Sequence, residues 1–297
     1  MPRFLLRILA RITGNLTLRC KIRSVHKVWG PLKTAHYMNQ KRTVSFLTPL
    51  LLLIFVPLLS VAQQPNAKAE QILKDALEAM GGQNYLGVRS IIGKGQYTQY
   101  QDGVPGNPNS FVDYIVYPDK ERTEFKGGRT HAIQANNGDK GWLFDATNKT
   151  LKDLTPTQVE EFKFSLKTSL ENLLRGGWRT QGAKLTYVGR REAGLAKRNE
   201  VVRLTYSDGF SVEFEFGAKD HLPAKILYTR KKGDEPESAD EDRFAQLTVV
   251  SGVMTPFIID RYENGKQASR INYQSVEFNV GINQSLFEKP ATIKGLK

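Results

Sequence analysis

Apolar positions along this chain change their spacing more than once. Ala69, Ile72, Leu73, Ala76, Leu77 and Met80 recur every three or four residues, which predicts an amphipathic helix over 67–80. Gly81-Gly82 supplies a left-handed stop, and a turn through Asn84–Val88 leads onward. From Ser90 the pattern turns to β. Segments 90–100, 110–117, 120–126, 130–136 and 141–145 are short, rich in β-formers and parted by Gly, Pro, Asn or Asp. Asn137-Gly138 has the chemistry of a tight hairpin turn.

A second helix interrupts the ladder. Thr155-Pro156-Thr157-Gln158 reads as an N-cap, a first-turn proline and a capping-box Gln. Val159, Phe162, Leu166, Leu170 and Leu173 follow at helical spacing, Phe164 and Leu174 widen the stripe, and Gly176-Gly177 ends it. The pattern predicts one helix over 156–175. Strands resume near Lys184. Phe210, Val212, Phe214 and Phe216 alternate with Ser211, Glu213 and Glu215, so one face packs and the other meets water. Strands over 201–206, 223–230, 243–250, 255–263 and 267–279 complete the series, with Asn264-Gly265 as a further hairpin turn. The sequential order predicts a mainly β fold with at least two helices: a single curved antiparallel sheet of about eleven strands, an incomplete β-barrel covered by helices.

Composition changes meaning once a second start is read at Met38. From there the chain runs MNQKRT, an apolar stretch Phe46–Leu59, then Ser60-Val61-Ala62 before Gln63. That is the layout of a secretory signal peptide over 38–62, cleaved after Ala62. Residues 1–37 read as a basic extension or a misassigned start. The alternative is an inner-membrane anchor through 46–62, a run that is short for a span and broken by Pro49 and Pro57. The net charge of +13 would ordinarily suggest an acidic partner such as nucleic acid. Ten of the Lys/Arg residues precede Gln63, where no Asp or Glu occurs, so 63–297 is close to neutral and nucleic acid drops out. The one cysteine, Cys20, also lies upstream. The expected product is a periplasmic monomer of one domain, 63–297, with no disulfide and no thiol chemistry.

Catalytic signals are weak. No H-E-x-x-H, G-x-S-x-G or P-loop occurs, and only His131 and His221 remain after Gln63. The expectation is no enzyme, no metal and no cofactor. The acidic run Asp234, Glu235, Glu237, Asp240, Glu241, Asp242 reads as a solvated insertion between strands. Aromatic residues are more suggestive. A curved sheet of this many strands encloses more space than its side chains readily fill. The candidate ligand-binding set is Trp142, Phe144, Phe162, Leu166, Leu170, Phe210, Val212, Phe214 and Phe216; a plain packed core is the competing reading.

From Tyr117-Pro118 onward, "VYPDKERTEF", "NNGDKGWLFDATNKTLKDLT" and the capped helix resemble the outer-membrane lipoprotein-sorting (LolA/LolB-like) family. The hairpin residues Asn137, Gly138, Trp142 and Phe144 match its D/N-G-x-x-x-W-x-[YF] pattern. The closing stretch Val276–Pro290 matches its tail at Asn279, Phe287 and Pro290. The resemblance implies an incomplete barrel around an apolar cavity with a helical lid. It implies a carrier or chaperone that passes acylated lipoprotein or another lipid from an inner-membrane donor complex toward an outer-membrane acceptor. An envelope-stress sensor of the same fold is the alternative. One departure is local: Tyr117 stands where the family has a cavity-mouth arginine, and Arg122 is the nearest candidate beside it. The long acidic insertion is another. The wide stripe on the second helix suggests that Phe162, Leu166 and Leu170 plug the cavity until ligand displaces them.

Overall fold

The computed structural model describes residues 65–127, 130–231 and 236–296. The signal segment 38–62, the extension 1–37 and the head of the acidic run at Asp234 and Glu235 lie outside them. Helix α1 (Pro65–Ala79) comes first, followed by the short α2 (Gln83–Gly87) where a simple turn was expected. Strands β1 (Ser90–Gln101), β2 (Val104–Pro105), β3 (Asn109–Val116), β4 (Lys120–Gly127), β5 (Thr130–Asn137), β6 (Lys140–Asp145) and β7 (Thr150–Asp153) follow. Helices α3 (Pro156–Lys167), α4 (Leu170–Leu174) and α5 (Gly177–Thr180) then lead into β8 (Lys184–Glu192), β9 (Arg198–Thr205), β10 (Ser211–Gly217) and β11 (Pro223–Arg230). The chain closes with β12 (Ser238–Val250), β13 (Val253–Glu263) and β14 (Lys266–Phe278), then 3-10 turns over Gln284–Phe287 and Ile293–Leu296.

These strands form one open antiparallel sheet of 14 strands, in the order β7-β6-β5-β4-β3-β1-β14-β13-β12-β11-β10-β9-β8, with β2 paired to β1. The architecture is the predicted incomplete barrel. The larger strand number comes partly from β2 and β7, too short to show a period of their own. Contact between β1 and β14 joins the two halves of the chain, from Ile91 opposite Phe278 to Gln99 opposite Ser269.

Local chemistry explains most boundaries. Thr155 caps α3 through a complete capping box: its Oγ1 accepts from Gln158 N at 3.3 Å, and its own N–H donates to Gln158 Oε1 at 2.9 Å. The predicted single helix over 156–175 is broken after Lys167. Thr168 turns its hydroxyl back onto the carbonyls of Phe164 and Ser165, and Ser169 starts α4 by accepting from Asn172 N at 2.9 Å. Serine and threonine compete for backbone groups in this way, and the apolar stripe overrode that signal. The β5–β6 turn is shifted by one residue from expectation. Asn137 pairs with Lys140, so Gly138-Asp139 are the turn residues and Gly138 carries the positive φ of 61°. Asn264-Gly265 does turn β13 into β14, with both φ values positive.

Two expectations about charge are corrected. Asp240, Glu241 and Asp242 belong to β12 rather than to a solvated insertion. Asp242 is buried against Arg261 (3.3 Å), and Asp240 pairs with Arg230 (3.2 Å). Glu215, expected on a water-facing side, is 2 % exposed. It binds Arg191 at 3.0 Å and Asn199 Nδ2 at 2.8 Å, beside a bulge between Glu215 and Phe216. A buried carboxylate needs such partners to stay ionised.

The main core lies between α1 and the sheet. Ala69, Ile72, Leu73 and Ala76 meet β8 and β9, with Val212, Phe214, Phe216, Ile226 and Ile271 in the same cluster. Among the described residues, no helix is long and apolar enough to cross a membrane.

Candidate functional site

Strand alternation builds the site. On the β3–β4 hairpin Ile115 lies opposite Glu121, Asp113 opposite Thr123, and Phe111 opposite Phe125. These residues share one face, and Phe111, Ile115 and Phe125 place it toward the main core. Continuing across β5, Glu121 pairs with Asn136 and Thr123 with Gln134. The inward face thus carries a buried polar belt of Asp113, Glu121, Thr123, Gln134 and Asn136. Helix α3 covers this side of the sheet, because Phe162 packs on Leu143 of β6.

Between the belt's outer end and the helices lies a cleft of about 670 Å³, open on one side. Its walls are Leu86 of α2, Ile115 of β3, Tyr117–Glu121 at the hairpin, Phe162, Ser165 and Leu166 of α3, and Glu171, Asn172 and Arg175 at α4. The volume falls in the range of small-molecule sites. The Tyr117–Pro118 peptide at its mouth is cis.

The walls combine apolar residues with charged and polar ones. Arg175 donates to the carbonyls of Tyr85 (2.8 Å) and Leu86 (3.3 Å) and lies 4.2 Å from the Tyr117 ring centroid. Burial pushes the Tyr117 hydroxyl well above its ordinary range, and nearby Glu171 adds to the push. Burial raises the Glu121 carboxyl to about 7. Asp113 is also held well above the carboxylate range by burial and by Glu121, although Thr123 donates a hydrogen bond to it.

The nine candidate ligand residues separate. Phe162 and Leu166 line the cleft. Leu170, Val212, Phe214 and Phe216 are packed in the main core, with Phe210 against it. Trp142 and Phe144 belong to another cluster, with Ile133 and Ala135, against which Ile293 and Leu296 of the C-terminal tail pack. Leu143 and Trp142 point to opposite faces of β6, so α3 and the tail cover opposite sides of it. Tyr117 lines the cleft, whereas Arg122 does not. Its Nη1 donates to Leu286 O at 2.9 Å, and its guanidinium sits 5.2 Å from the Trp142 ring. The neighbouring Glu121 faces the cleft instead.

Sequence reasoning missed Glu121, Glu171, Arg175 and Asp113. The available signal was period two in Glu121, Thr123 and Phe125, which tied the carboxylate to an apolar residue's face. The motif residues of the tail gain physical roles. Asn279 accepts from Arg89 N at 2.7 Å and donates to Gly87 O at 3.3 Å, and Phe287 offers its carbonyl to Trp142 Nε1 at 3.1 Å. His131 lies on β5 against Phe144, and His221 in the β10–β11 turn; the fold does not bring them together. Among the described residues no group of three or more His, Asp or Glu could hold a metal ion.

Solved structures share this architecture. A domain assigned to outer membrane lipoprotein sorting from Vibrio parahaemolyticus superposes with a TM-score of 0.52 at 16 % identity, covering 74 % of this chain and 97 % of that one. A LolA superfamily protein from Nitrosomonas europaea gives 0.50 at 14 % identity, covering 74 % and 97 %. The fold is LolA-like. A DUF1329 family protein from Desulfovibrio piger shares it, with a TM-score of 0.53 at 11 % identity, covering 79 % of this chain and 100 % of that one. At these identities the likeness is one of fold. No protein-family model and no curated protein matches the sequence.

Proposed function

We propose that this chain is an exported, periplasmic carrier that takes the acyl part of a lipoprotein or another lipid into the cleft beneath α3 and α4. The observation that carries the reading is the cleft itself, on a LolA-like sheet, with Phe162 and Leu166 of a capped helix as its cover. Two neighbours in fold bear names of lipoprotein sorting or the LolA superfamily, which supports the cargo class. The signal-peptide pattern over 38–62 supports the compartment. The role assigned is binding and transfer rather than catalysis.

The physical logic is a competition between two burials. Each acyl methylene removed from water gains about 0.8 kcal/mol, so an empty apolar cavity would hold a long chain too tightly to release it. Phe162 is 1 % exposed and already occupies the inward side. Ligand entry must displace it, and the net affinity is the difference between the two occupants. A disulfide between Phe162→Cys and Leu143→Cys, which replace residues in contact, tests this. The oxidised protein should fail to take up a fluorescent fatty acid that the reduced protein binds. Equal uptake in both states refutes the displaced cover.

A further inference from the structure

Glu121 stands out among the groups that a carrier of simple hydrocarbon has no use for. It is 6 % exposed, lines the cleft, and its Oε1 has no hydrogen-bond partner. Among the described residues it makes no ion pair. An unsatisfied buried carboxylate oxygen is expensive to maintain, and its residue lines the space where a ligand head group would sit.

The surrounding charges do not complete it. Glu171 lines the same cleft from α4, and Asp113 lies deeper on β3. Against these carboxylates stand three arginines, Arg89 and Arg175 in the cleft wall and Arg261 behind it. Arg261 of β13 is paired with Asp242. Both Nη groups of Arg175 are engaged by backbone carbonyls, and its guanidinium stacks on Tyr85 and Tyr117. Tyr117 and Tyr273 hold their protons well above neutral pH, chiefly through burial. Lys120 at the rim donates to Gln284 Oε1 at 2.8 Å. The cleft wall therefore sets the unfilled Glu121 oxygen beside the apolar Phe162, Leu166 and Ile115.

We propose that Glu121 forms a subsite for a primary ammonium, and that the cargo is an amphiphile carrying that group next to its acyl chain. The assignment rests on the carrier reading and adds the head-group class. An ammonium brings three donors to an unfilled acceptor in a desolvated place, where charge-assisted bonds are strongest. It also holds Glu121 ionised, so binding tightens as the carboxyl loses its proton near neutral pH.

The test uses protein produced from the full chain and three probes of equal length: dodecylamine, dodecanol and lauric acid, each displacing a fluorescent fatty acid. At pH 8 dodecylamine should bind about tenfold or more tightly than dodecanol, the scale of one hydrogen bond to a buried charge. Glu121→Gln should erase that preference, so that dodecylamine binds no more tightly than dodecanol. Dodecylamine affinity of the unsubstituted protein should rise from pH 6 to pH 8, and dodecanol affinity should stay flat. Equal binding of amine and alcohol, or a preference that survives in Glu121→Gln, overturns the subsite and leaves the carrier standing. Binding of none of the probes overturns both.

Discussion

Replacing Glu121 by Gln should stabilise the protein, and only at neutral to alkaline pH. In the unfolded chain this carboxyl gives up its proton near its ordinary 4.5; in the folded protein burial holds the proton up to about 7. Between those values the folded state binds more protons than the unfolded one, so stability falls as pH rises. The gap, at about 1.4 kcal/mol per pH unit, makes ionising Glu121 cost about 3 kcal/mol above pH 7. Asp113, raised in the same direction by burial and by Glu121, adds to the loss. Urea unfolding at pH 5, 6, 7 and 8 reads this out through the midpoint at constant m. At pH 5 the two proteins should be nearly equal. By pH 8 the amide variant should lead by about 3 kcal/mol, and its profile should be flatter throughout. Parallel profiles would show that Glu121 titrates as though in water, and the account of the cleft's electrostatics would fall.

Two other outcomes follow from packing. Phe162→Ala should lower the stability of the ligand-free protein by about 3 kcal/mol, the scale for a buried phenylalanine, yet tighten fatty-acid binding because less must be displaced; weaker binding would make Phe162 a contact instead of a plug. Phe214→Ala removes a fully buried ring from the main core and should cost about 3–5 kcal/mol with no change in ligand preference, measured by denaturant unfolding and probe displacement.

The sequence by itself determined the class of fold, through period. Helical spacing marked α1 and α3, alternation marked the strands, and Thr155, Pro156 and Asn264-Gly265 fixed local boundaries, because caps and turns depend on neighbours along the chain. Tertiary structure alone decided which residues meet at the cleft. On β4 both faces are buried: Glu121 beneath the helices, Arg122 beneath the C-terminal tail. Alternation separates two faces but cannot say what covers each, since the covering segments come from positions about 50 and 160 residues further on. The same limit moved Trp142 and Phe144 away from Phe214 and Phe216, and turned Glu215 and Asp242 from solvated charges into buried partners of Arg191 and Arg261. Charge in a sequence carries no record of its surroundings; desolvation and pairing arise only when distant strands come together.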